Sequence, residues 1–191
     1  MRYLQKVSNG LAVIERVFAQ FSIVAMVAIM LVVVTDVVLR YFFSRPIFFA
    51  YDLISMYLVV VLFFFVISHT LHNHGHISID LFQRFLPMRV RHVGEGLCYA
   101  AGAVVFALVA WLLSERTHTA LVRGQVTDTT IPWPIWLSIL PAALGCWLFT
   151  LRCAYRAIAH IASGIVGRVL VELPPPPITD IPGAAPTGEG R

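Results

Sequence analysis

Residues 53–68 read LISMYLVVVLFFFVIS and carry no formal charge. From Val59 to Val66 every side chain is aliphatic or phenylalanine. With no polar stripe at any helical period, such a run is suited to a helix surrounded on all sides by lipid or protein. Its flanks differ. On the N-terminal side stands Asp52, then a connection rich in Phe and Tyr that carries Arg45, Pro46 and Arg40, then Asp36 near the end of an earlier apolar run. On the C-terminal side come His69, His72, His74 and His76, and a short segment around Asp80 that Pro87 closes. Most of the charge set against apolar sequence in the front half of the chain lies in these flanks.

Three further windows lack formal charge: Val17–Thr35, Gly96–Ser114 and Thr129–Leu151. Crossing the hydrocarbon core takes about 20 mostly apolar residues, and the window at Leu53 reaches that length when its neighbours are added. The chain is 59 % hydrophobic and 13 % charged, whereas soluble domains are about 45–50 % apolar. The expected fold is therefore an all-α integral membrane protein with spans at about 17–39, 49–71, 93–114 and 133–151. Together they form a membrane domain, 17–151, behind an N-terminal arm, 1–16. A basic interfacial helix, 152–173, and a Pro- and Gly-rich tail, 174–191, expected to be disordered, follow it.

The first apolar run is longer than a secretory h-region and no small-x-small pattern follows it, so a cleaved signal peptide is not expected. Cys98, Cys146 and Cys153 fall in or just past helices, as free thiols would. The net charge of +4 forms no basic stripe interleaved with aromatics, so no nucleic-acid partner is implied. Ten of the fourteen Lys and Arg residues lie in the N-terminal arm, the second connection and the C-terminal segment. The positive-inside bias then puts both termini in the cytoplasm.

Local patterns fill in the rest. Leu4, Val7, Leu11 and Ile14 are spaced helically ahead of the first span. Asp36 and Arg40 stand four apart, acid first, in the favourable order for a pair. Ile77, Leu81 and Phe85 make the stripe of a short amphipathic helix lying in the interface. In the third span, Gly96 with Ala100 and Ala103 with Ala107 are small residues four apart, the spacing that lets helices approach closely; this helix is the best candidate for the inside of a bundle or for contact with a partner. Residues 115–130 read as a polar loop. Pro132 and Pro134 then open the fourth span, Trp133 and Trp136 sit at belt depth, and Pro141 is expected to kink it. Arg152, Arg156, His160, Gly164 and Arg168 recur every four residues opposite Ile158, Ile161 and Ile165, which suggests a basic face at the headgroups.

An acid within a membrane span is a functional candidate by default. Asp36 fits either an ion-coupling site or a structural pair with Arg40, and its place beside an arginine and an aromatic belt favours the pair. The alternating histidines have no ligand of fixed geometry near them apart from Asp80, so no metal is expected. His69 and His92 close one span and open the next on the same side, which leaves a haem-bearing membrane anchor of a redox complex as the alternative. No nucleophile–base constellation or phosphate loop is present, so neither catalytic residues nor a cofactor are assigned and the chain is not expected to be an enzyme.

The order Asp36-Val37-Val38-Leu39-Arg40-Tyr41-Phe42-Phe43, the Arg45-Pro46-Ile47 turn, the acid Asp52, and Gly75-His76-Ile77-Ser78-Ile79-Asp80-Leu81 after the second span resembles the small membrane subunit of tripartite ATP-independent periplasmic (TRAP) transporters, over roughly residues 10–155. Asp52 stands where glutamate is commoner in that family, and His69, His72 and His74 are extra, so His76 alone belongs to the shared motif. The resemblance implies a subunit of the bacterial inner membrane. It would brace a large multi-spanning transport subunit that takes up an organic acid, such as a C4-dicarboxylate, on a sodium gradient. A periplasmic binding protein would deliver the substrate. Asp36, Arg40, Arg45, Asp52, His76 and Asp80 are then expected to hold the interfacial segments or meet the partner.

Overall fold

The computed structural model describes residues 2–72, 88–129 and 131–166. Five α-helices and one π-helical stretch account for most of them: α1 (Arg2–Phe43), α2 (Ala50–Leu53), the π-helical stretch Ile54–Leu58, α3 (Val59–His72), α4 (Met88–Val122) and α5 (Ile135–Val166). Four segments are long and apolar enough to cross a membrane: Gly10–Phe43, Ala50–Leu71, Val93–Val122 and Ile135–Ala162. The second combines α2, the π-helical stretch and α3.

The helices run further than the apolar windows suggest. At ~1.5 Å per residue, the 42 residues of α1 make a rod of about 63 Å, roughly twice the hydrocarbon thickness. Residues 2–16 thus continue the first span as one helix. The polar loop expected at 115–130 is helical as far as Val122. No Gly or Pro interrupts that stretch, and Ser114, Thr117 and Thr119 direct their hydroxyls to the carbonyls of Ala110, Leu113 and Glu115. The end comes at Gly124, whose φ of 57° closes a Schellman turn. Gln125 N–H donates to Ala120 O (3.0 Å) and Gly124 N–H to Leu121 O (3.2 Å). Pro141 lies within α5 without ending it.

Packing follows the order α1, α3, α5, α4. Phe18 of α1 meets Phe65 of α3 with ring centroids 4.4 Å apart. Next to them the Ser22 hydroxyl lies between the carbonyls of Phe18 and Val61. Gly145 brings α3 and α5 together: a Cβ there would meet the Phe64 carbonyl group and fall 2.8 Å from Phe64 Cβ. Gly96 does the same for α4 and α5, with its missing Cβ 2.8 Å from Ile161 Cγ1. Ala103 and Phe106 of α4 pack on Leu71, Phe149 and Cys153.

The inner position therefore belongs to α5, not to α4. In α5, 56 % of the span is buried, against 17 % or less in the other three. The small residues of α4 make one seam, while Leu97, Val104, Leu108 and Trp111 face outward. Helix α5 has small residues of its own at Ala142, Ala143, Gly145 and Cys146, all buried, and these let it be approached from two sides.

Candidate functional site

Polar side chains gather at two levels of the bundle. At the C-terminal end of α1, Asp36 accepts from Arg40 Nη2 at 2.7 Å and, through its other carboxylate oxygen, from Ile47 N–H at 2.7 Å. One oxygen secures the last turn of the helix and the other the connection beyond it. Asp36 therefore pairs within its own helix and with the backbone that follows. Ser44, at φ 50°, reverses the chain so that Ile47 reaches that oxygen. The Asp36 side chain is mostly covered, at 14 % exposure, while Arg40 is 67 % exposed. Arg45 is exposed, and Asp52 is half-buried in the first turn of α2, where a carboxylate complements the helix dipole. Phe49 and Tyr57 lie against Trp133, with centroids 6.5 and 5.6 Å away. The Tyr57 hydroxyl donates to Pro134 O at 2.9 Å. A π-helical turn leaves carbonyls off the regular ladder, and Ser138 Oγ donates to that of Met56 at 2.6 Å.

The second group lies at the other end and was not foreseen from sequence. Glu15 of α1 is fully buried. It accepts from Ser68 Oγ at 2.6 Å and pairs with Arg152 Nη2 at 3.0 Å. Arg152 also donates to Ser8 Oγ at 3.4 Å. One turn along α5, Arg156 donates to Tyr99 OH at 3.1 Å, and the Tyr99 ring stacks on His160 with centroids 5.6 Å apart. Arg152, Arg156 and His160, read from sequence as a face turned to the headgroups, instead point into the bundle at 1 %, 5 % and 0 % exposure. They join α5 to α1, α3 and α4. Ionised groups so deep require partners, and the three helices around α5 supply them.

Glu15 and Asp36 are 21 residues apart on α1, or ~32 Å, close to the ~30 Å of the hydrocarbon core. The two polar levels thus match the two edges of one bilayer. Two signals could have located the Glu15 level. Glu15 is the only acid ahead of Asp36, and the column Arg152, Arg156 and His160 lies at the matching depth of the last helix.

His76 and Asp80 fall outside the described residues, as does the amphipathic segment at 77–87. Of the small residues singled out on α4, Gly96 is buried and Ala100, Ala103 and Ala107 are half-buried. Gly96 and Ala103 are in the seam with α5.

The family model for the DctQ component of tripartite ATP-independent periplasmic transporters matches residues 29–163. The chain belongs to this family. It is the small permease component of a TRAP transporter, a multi-pass membrane protein and a transporter component rather than an enzyme, which replaces the haem-anchor alternative. Such components work in complexes with a large membrane subunit and a periplasmic binding protein. The match takes in the Asp36 level together with Ser68, Arg152 and Arg156, whereas Glu15 precedes it. No curated protein and no solved structure matches the chain.

Proposed function

We propose that this small TRAP subunit braces the large transport subunit during sodium-driven uptake of an organic acid, a C4-dicarboxylate or another carboxylate brought by the periplasmic binding protein. It does so in a bacterial inner membrane with both termini in the cytoplasm. The observation that carries this reading is how the polar groups are used. Between the two edge levels the described residues present no continuous polar face, so there is nothing to replace the water around a carboxylate in transit. The outward faces are apolar, as suits contact with lipid or with a partner's helices.

In this reading Asp36 holds the connection in shape. Arg40 and Arg45, exposed at the outer edge, offer donors to the large subunit beside Asp52, while His76 and Asp80, past the other end of the second span, serve the interfacial segment on the opposite side. Replacing Arg40 or Asp52 by alanine in the complete transporter is expected to lower substrate uptake while membrane insertion stays normal. Uptake at the wild-type rate, with the large subunit retained as before, would show that these residues do not serve the interface.

A further inference from the structure

Gln20 sits on the face of α1 opposite the one packed on α3. Glu15, Ala19, Ser22 and Ala25 are buried, while Gln20 is exposed. Val13, Val24, Val27, Leu31, Val34 and Val38 continue its face at helical spacing, each more than 40 % exposed. Gln20 lies five residues, ~7.5 Å, past Glu15 into the apolar part of the helix. Among the described residues, none bonds its amide.

The other exposed helix, α4, is different. From Leu97 to Leu112 its outward residues include Val104, Val105 and Leu108, and no amide or carboxylate interrupts them. Its exposed donor is the Trp111 indole, a largely apolar ring with a single N–H, whereas an amide carries two donors and an acceptor. Several other polar groups at membrane depth are engaged: Ser55 and Thr35 with their own helix, Ser138 with Met56, Trp147 with Ser114. An amide facing hydrocarbon keeps its bonding capacity unused, and a neighbouring helix that offers a polar group satisfies it.

We infer that the Gln20 face of α1 is the surface seated against a transmembrane helix of the large transport subunit, with the amide bonded across the seam, and that the outer face of α4 meets lipid. This rests on the bracing role proposed above. The test uses the full chain co-expressed with its large subunit and a photoreactive amino acid introduced at Val24 or Val27 of α1, or at Val104 or Leu108 of α4. Adducts with the large subunit are expected from the α1 positions and not from those on α4. A Gln20→Leu variant should insert normally and lose retention of the large subunit by roughly three- to thirty-fold, the span corresponding to interhelical hydrogen bonds in membranes. Large-subunit adducts from α4 instead, or α1 adducts with only lipid or a second copy of this chain, overturn the assignment and leave the bracing role standing. Failure of the wild-type chain to retain any large subunit removes both.

Discussion

The two polar levels use charge in opposite ways. At Asp36 the pair is local: its members are four residues apart on one helix, and the second bond goes to the nearby backbone of Ile47. Arg40 stays open to its surroundings. At Glu15 the carboxylate joins the first helix to the last, with Ser68 of α3 as a third party, and all three side chains are fully or almost fully buried. One level shapes a turn and leaves a donor available, whereas the other fixes how helices sit on each other. Both contain an arginine–carboxylate pair; what separates the two roles is the burial of the arginine and whether the pair joins one helix or two.

The sharpest way to break this contrast is to remove one member of the buried pair. Glu15→Ala strands Arg152 among four helices and is expected to cost about 3–5 kcal/mol, as for other buried pairs that lose one partner. This would be read as a large fall in the thermal midpoint of the purified subunit in detergent. Glu15→Ala combined with Arg152→Met should recover part of the loss, because it leaves no uncompensated charge. Next in size is Gly145→Ala, which pushes a methyl group against the Phe64 backbone. Backbone yields less readily than a side-chain tip, so about 1–3 kcal/mol is expected. Gly96→Ala, opposed by the end of Ile161, should cost less in the same assay. The smallest effect belongs to Arg40→Ala. An exposed pair contributes about 0.2–1 kcal/mol, so the subunit's own stability should barely change even where uptake falls.

These differences track what was legible in the sequence. The four spans were, because each depends only on a run of apolar residues. The Asp36–Arg40 pair was, because its geometry is set by one turn of helix. The Glu15–Arg152 pair was not: nothing local links the two ends of the chain, and Arg152, Arg156 and His160 at four-residue spacing look alike whether they face headgroups or a bundle. Small residues on α4 signalled a close seam but not how many sides were covered. The inner position of α5 depends on Gly145, which stands in no small-residue motif as obvious as that of α4. The helical stretch from Glu115 to Val122 was hidden by polar composition, although its breaker, Gly124, lies only at the end.

The packing order also bears on biosynthesis. Helix α4 is made before α5, yet α5 is the helix on which it packs. The ribosome therefore delivers the third span to the bilayer with its seam at Gly96 and Ala103 still facing lipid. Glu15 waits longer, entering with the first span while Arg152 is supplied only by the last. Assembly is complete only when the C-terminal part of α5 emerges, so a chain truncated before Ile135 should insert three helices with α4 left unpacked and Glu15 without its arginine.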